Sequence, residues 1–274
     1  VAKESPQPAT PSPHDWDGAA YQRLSDPQFG WGMRVLSSVE LHGDECVLDL
    51  GCGPGRLTAE LLARLPQGRV IAVDASPSMV ATARQQLARF GERVTLIQSD
   101  LLHLQLDSVA DLAFSTATFH WIHDHARLFR VIHAALKPGG RLVAQCGGGK
   151  NLERIRERAD RLMSDARFAP FFRGWQNPWN YTSPEKTAER LRAAGFIEVE
   201  TGLEEATIPF DGPDAFRQFA RTVVVRPYLA AIPDEARREQ FLDALVSHAA
   251  GDRPPFTLDY WRLNMRARRL PAAH

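Results

Sequence analysis

Three glycines at alternate positions, in Asp49-Leu-Gly51-Cys-Gly53-Pro-Gly55, stand where an apolar run ends and a helical pattern begins. Glycines there adopt backbone angles closed to other residues and let a ligand lie against the main chain. The spacing is G-x-G-x-G with Arg56 next, so the dinucleotide pattern G-x-G-x-x-G is absent, and no Lys-Ser/Thr follows to make a P-loop. That chemistry suits a nucleoside-bearing ligand without a pyrophosphate. Asp74 ends the next apolar run, 19 residues past Gly55, where a carboxylate can accept both hydroxyls of an unphosphorylated ribose. Asp100 ends the third run and is placed to meet the exocyclic amine of an adenine. Either carboxylate can equally cap the helix that follows it. The three features at successive strand ends together favour a ligand, because open α/β sheets bind ligands there.

The elements that must position these residues alternate in type. Apolar runs Cys46–Leu50, Val70–Val73, Val94–Ile97, Leu112–Phe114 and Arg141–Gln145 read as strands, with Lys137-Pro-Gly-Gly140 as the turn into the last of them. Between them lie helices. One carries a stripe of Leu57, Leu61, Leu62 and Leu65; one opens at Ser76-Pro77 and reaches about Phe90; one runs from about His125 to Leu136. Such alternation implies a parallel sheet covered on both faces. After Gly149 a basic helical stretch (150–165) and an aromatic segment from Phe168 to Tyr181 interrupt the pattern. Thr182-Ser-Pro-Glu185 starts a helix, either as a capping box or with Ser183 as N-cap and Pro184 in the first turn. Phe196–Glu200 reads as a sixth strand, and helical stretches near 213–222 and 234–249 follow. Finally Trp261, Leu263, Met265 and Ala267 alternate with Arg262, Asn264, Arg266 and Arg268, the pattern of a half-exposed closing strand.

Composition excludes several partners. Thirty-three basic side chains balance 33 acidic ones, which argues against a nucleic-acid partner held by phosphate neutralisation and against an anionic membrane surface. No apolar run reaches transmembrane length. The start, Val1 to Pro13, is proline-rich without an apolar h-region, so it reads as a disordered lead-in rather than a signal peptide. Three widely spaced cysteines (Cys46, Cys52, Cys146) fit no disulfide framework, and a cytoplasmic location is the simplest expectation.

The runs Val47–Leu57, Val73-Asp-Ala-Ser-Pro77, Ser99-Asp-Leu101 and Leu136-Lys-Pro-Gly-Gly140, in that order, resemble the class I S-adenosylmethionine-dependent methyltransferases. Asp111–Trp121, together with Trp16-Asp-Gly-Ala-Ala-Tyr21, is similar to their trans-aconitate methyltransferase-like branch. Thr116 stands where that branch commonly carries Asn, and no contact is transferred there. The resemblance implies a Rossmann-like methyltransferase fold: a mostly parallel seven-stranded sheet with helices on both faces, plus helical lid insertions. It implies S-adenosylmethionine as cofactor and S-adenosylhomocysteine as product. Asp49 and Gly51 would face the methionine part, Asp74 the ribose, and Asp100 with Leu101 the adenine; Gly53 and Ala75 also fall on the cofactor side. Tyr21 and Gln28 would close over the methionine carboxylate, and Ser115 and Phe119 would line the far side. The implied division is a lead-in (1–15), a cofactor-binding core with an N-terminal helical cap (16–149), a helical and aromatic lid (150–195), and the end of the sheet with a helical insertion near 213–250 (196–274).

His120, His123 and His125 invite a metal reading, but their spacing provides no i, i+4 pair and no cysteine partners, so no metal is expected. His120 follows the fourth strand, where it can orient an acceptor or take its proton. A carboxylate acceptor is already ionised near neutral pH and needs no base. Trp121, Arg173, Trp175 and Tyr181 are candidate acceptor contacts, Arg173 as a bidentate partner for a carboxylate and the rings as a wall that excludes water; a hydrophobic mini-core is the competing role for the aromatics. Arg226 and Tyr228 are weaker candidates of the same kind. The expected function is methyl transfer to a small molecule, first to a carboxylic acid oxygen, with C- or N-methylation or non-catalytic cofactor binding as alternatives. A nicotinamide-dependent oxidoreductase is disfavoured by the glycine spacing.

Overall fold

The structure, a computed structural model, describes residues 26–272; the proline-rich lead-in and Tyr21 lie outside the described residues. Helix α1 (Asp26–Ser37) precedes β1 (Cys46–Leu50), α2 (Arg56–Arg64), β2 (Arg69–Asp74), α3 (Pro77–Leu87), β3 (Val94–Gln98), β4 (Ala110–Thr116), α4 (His125–Ala135) and β5 (Leu136–Gly147). Then come α5 (Glu153–Met163), α6 (Pro184–Ala193), β6 (Phe196–Glu205), β7 (Ile208–Pro209), α7 (Pro213–Phe219), α8 (Arg226–Ala231), α9 (Glu235–Ala249), β8 (Thr257–Leu258) and β9 (Trp261–Arg269). Seven strands form one sheet in the order β3-β2-β1-β4-β5-β9-β6. The strands from β3 to β5 run parallel, while β9 is antiparallel to both its neighbours.

Burial explains why the parallel strands read as continuous apolar runs. Every residue of β1 is buried, because helices cover both faces. Leu48 and Leu50 point into a core shared with Phe129 of α4 and Leu191 of α6. Val47 points the other way, into a core with Leu36 of α1 and Leu61 and Leu62 of α2. The cap at Ser76 forms as its sequence indicates: its hydroxyl accepts the Met79 N–H at 3.3 Å, with Pro77 in the first turn. At α6 the second of the two expected starts is realised, Ser183 accepting from the Lys186 N–H at 3.3 Å.

Three details differ from the sequence reading. Helix α3 stops at Leu87 and a 3-10 stretch to Arg93 follows, because Gly91 takes φ +56° and breaks the α-helical ladder. Pro138 and Gly140 lie within β5, whose pairing with β4 shifts register between Ala110 and Leu112. The short helix α8 and the β7–β8 pair were not legible in the sequence, being too brief to show a period.

The two insertions share one apolar core. Phe168 and Phe172 from the first pack on Phe241 of α9 in the second, at ring-centroid distances of 5.2 and 5.8 Å. Phe168 is fully buried, whereas Arg173 nearby is exposed. Phe168→Ala should therefore lower unfolding free energy by about 3–5 kcal/mol, and Arg173→Ala by no more than about 0.5 kcal/mol. Urea denaturation of both variants measures this; equal effects would contradict the packing.

Candidate functional site

A cavity of about 720 Å³ opens where β1, β2 and β4 end and the insertions cover the sheet. That volume suits a nucleoside-sized ligand together with a small acceptor. The glycine loop forms its floor. The N–H groups of Gly51 and Cys52 both donate to the Val73 carbonyl, at 2.8 and 3.0 Å, which hangs the loop from the end of β2. Gly51 has φ +77°, and a Cβ there would sit 2.1 Å from the Thr118 hydroxyl, so only glycine fits. Gly53 has φ +54° and donates its N–H to Asp74 Oδ2 at 2.8 Å. Nothing lies within 4 Å of where its Cβ would be, and the main chain is bare to the cavity.

The two strand-end carboxylates accept local backbone N–H groups and also face the cavity. Asp74 Oδ1 accepts the Ser76 N–H at 2.9 Å, and Asp100 Oδ1 accepts the Leu102 N–H at 2.8 Å, yet both residues also line the cavity. Asp49 is 3% exposed and accepts a 2.6 Å hydrogen bond from Thr58. Burial pushes its carboxyl up to about 7, against the Thr58 hydrogen bond and with some help from the charge of Asp74. Burial also raises Asp74, opposed by the backbone N–H groups it accepts. The same desolvation drives the Cys52 thiol far above its ordinary range, which leaves it a packing residue.

Gln28, on α1, is buried and lines the cavity, and its Oε1 has no hydrogen-bond partner among the described residues. A buried acceptor without a donor is costly, so the position suits a ligand carrying N–H groups. With the bare glycine loop, the buried Asp49 and the half-buried Asp74, it fits a cationic, nucleoside-bearing cofactor. Ala75 and Leu101 complete this side of the wall.

Across the cavity, His120 and Trp121 follow β4 and Tyr181 comes from the first insertion. Tyr181 stacks on the His120 ring at 5.7 Å, and the Asn180 N–H donates to the His120 carbonyl at 2.8 Å, which fastens the insertion to this loop. The Gly147 N–H approaches His120 Nδ1 at 3.3 Å, which makes Nδ1 the acceptor and puts the ring proton on Nε2. Burial, helped by the charges of Arg262 and His125, lowers His120 to about 3. His125 is instead held in the core by the Phe119 carbonyl at 2.9 Å, and His123 stands at the cavity edge. Among the described residues no group of three His, Cys, Asp or Glu side chains could hold a metal, and no helix is long and apolar enough to cross a membrane.

Four expected contacts do not reach the cavity. The Ser115 hydroxyl turns back to the Leu50 carbonyl at 2.7 Å and is buried between strands. Phe119 is fully buried in the core against Phe129. Arg173 is exposed, and Trp175 stacks on Tyr228 at 5.0 Å, its N–H reaching the Pro227 carbonyl at 3.4 Å. Tyr228 is itself buried in the insertion core. The mini-core role therefore holds for most of the aromatic segment. Conversely Asn151, Tyr260 and Arg262 line the cavity without having been singled out. Arg262 in particular reads as the wet side of β9, yet it is 2% exposed, with the Trp31 ring of α1 against its guanidinium.

Comparison with known proteins agrees with this geometry. A methyltransferase-domain family matches residues 47–140. Trans-aconitate 2-methyltransferase of Methylobacterium nodulans is 31% identical over 271 residues, covering 93% of this chain and 98% of that protein. The protein of the same name from an Azoarcus species is 31% identical over 80% of this chain and 84% of its own. Among solved structures, a putative methyltransferase from Bacillus halodurans superposes with a TM-score of 0.61 at 16% identity, over 90% of this chain and all of that one. Phosphoethanolamine N-methyltransferase 2 of Haemonchus contortus, bound to S-adenosylhomocysteine, does so with a TM-score of 0.59 at 19% identity, over 93% of this chain and 57% of that one. With its strand order, glycine loop and these relatives, the chain belongs to the S-adenosylmethionine-dependent methyltransferases, in the trans-aconitate methyltransferase-like branch.

Proposed function

We propose that this methyltransferase esterifies one carboxylate of a small polycarboxylic acid of the trans-aconitate type. The observation that carries the reading is the Methylobacterium nodulans relative of that name, whose likeness spans 93% of this chain and thus includes the insertions that cover the cavity. In this reading Asp74 takes the ribose hydroxyls with Ala75 beside it, and Asp100 and Leu101 hold the adenine. Asp49, Gly51, Gly53 and Gln28 face the methionine part, where the Asp49 carboxylate and the Gln28 Oε1, without a partner among the described residues, suit an ammonium group. The cofactor would supply a methyl already activated on a sulfonium: a carboxylate oxygen would bond to that carbon as the carbon–sulfur bond breaks, giving an ester and a neutral thioether with no proton to remove.

The chain's own residues then orient and desolvate rather than move protons. His120, with Nδ1 engaged by Gly147, presents an Nε2–H donor and is a poor base. That supports an acceptor already ionised. Trp121, Trp179 and Tyr181 wall the acceptor side and keep water from competing. Incubation with S-adenosylmethionine and a panel of polycarboxylates, amines and enols tests the reading. Release of S-adenosylhomocysteine with trans-aconitate, and a product methyl group that alkali liberates as methanol, is the expected result. Turnover confined to amine or carbon acceptors would overturn it.

The raised Asp49 carboxyl adds a pH dependence. Below about pH 7 the free protein holds Asp49 protonated, and a cationic cofactor meets its full charge only when that proton leaves. Affinity should therefore fall as pH drops through 7, by up to about tenfold per pH unit below it. Asp49→Asn has no such proton and should show a shallower curve. Calorimetric titration of both proteins across that range measures the difference; parallel curves would remove Asp49 from the cofactor contact.

A further inference from the structure

We propose that the π turn Ala220–Val224, which joins α7 to α8, limits the size of the acceptor's carbon skeleton, with Val223 as the residue that sets the limit; the choice of a carboxylic acid as acceptor rests on the reading above. Turns of this kind are rare and frequently stand at functional sites. This one is closed by the Val225 N–H, which donates to the Ala220 carbonyl five residues back at 2.8 Å. Val223 and Val224, adjacent in the chain, both line the cavity. On the solvent side Arg217 and Arg221, four residues apart, pair with Glu235, Glu239 and Asp243 of α9. The turn is thus fixed between α9 and the cavity that it helps to wall.

Packing assigns the turn to the acceptor rather than the cofactor. Val223 and Val224 belong to the apolar core of the insertions, together with Trp121, Trp179 and Tyr181. Leu101 and Cys52, on the cofactor side of the cavity, belong to the two cores against the sheet. Trp179 and Tyr181, stacked at 6.3 Å, line the same cavity as the two valines. Val224 is buried, whereas Val223 is half-buried and keeps surface with which to meet an acceptor.

A valine reads shape alone. Its side chain has no polar atom, and branching at Cβ holds it to few rotamers, so its methyl groups present a wall of fixed outline. Such a wall admits a skeleton that stops short of it and excludes a longer one, because a stiff side chain cannot swing away to relieve overpacking. One methylene more or less in an apolar pocket is worth about 10- to 200-fold in kcat/KM. Trimming Val223 should therefore widen the range of acceptors and enlarging it should narrow that range, with the glycine loop's side of the cavity untouched.

The test measures kcat/KM for trans-aconitate and for methyl-, propyl- and benzylsuccinate in wild type, Val223→Ala and Val223→Phe, and titrates S-adenosylhomocysteine calorimetrically into each protein. Wild type should prefer trans-aconitate and methylsuccinate to the two larger acids. Val223→Ala should raise propyl- or benzylsuccinate by at least about tenfold relative to trans-aconitate. Val223→Phe should lose about 100-fold on trans-aconitate, mostly through KM. Both variants should bind S-adenosylhomocysteine as wild type does; should one of them lose it, the other decides. An unchanged order of preference in the variants that bind it would overturn the role of Val223 while leaving carboxylate methylation intact. Loss of S-adenosylhomocysteine binding in both would overturn it as well, by making the turn part of the cofactor site or of the fold. If wild type esterifies none of these acids, the carboxylate reading fails by itself, and a series of growing alkyl substituents on the acceptor that it does use decides Val223 by the same criteria.

Discussion

The site depends on one short tie between two strands. The carbonyl of Val73 accepts two consecutive loop amides, and the Asp74 side chain accepts a third from Gly53, so the end of β2 holds the whole turn that follows β1. These bonds satisfy backbone donors that a tight glycine loop would otherwise leave bare. They also force left-handed angles at Gly51 and Gly53 and bring Gly51 against Thr118 from the end of β4. The cavity floor thus has the precision of the sheet rather than the latitude of a loop.

Charge follows from that packing. Asp49 is buried and Asp74 half-buried in one wall, and desolvation raises both carboxyls before any cation arrives. A site of this kind favours a positively charged ligand twice over, by attraction and by relief of a carboxyl held in poor solvent. On the opposite side the sign reverses. Arg262 is buried there and His120 is kept neutral, so the charged groups on the two sides of the cavity differ. A chain with 33 charges of each sign owes this polarity to placement and not to composition.

Legibility varied with the range of the interactions involved. The strands, the caps at Ser76 and Ser183 and the glycine loop were readable because a few neighbouring residues decide each of them. Ser115 and Phe119 were misplaced because they sit beside the site in the chain, while strand alternation and core packing turn them away. Arg173 and Trp175 were misplaced because an aromatic-rich segment can wall a pocket or fill a core, and Phe241 and Tyr228, more than fifty residues on, decide for the core.

By itself the sequence determined the α/β alternation, the glycine loop with its acidic strand ends, and through them the methyl donor. All of these are set by local pattern and spacing. Tertiary structure alone decided the other half of the cavity. It inserted β9 antiparallel between β5 and β6, joined two insertions into one core, and enclosed Arg262 in what its alternation marked as the wet face. Burial is a property of what lies across from a residue, and Trp31 of α1, which lies against the Arg262 guanidinium, comes from a distant part of the chain.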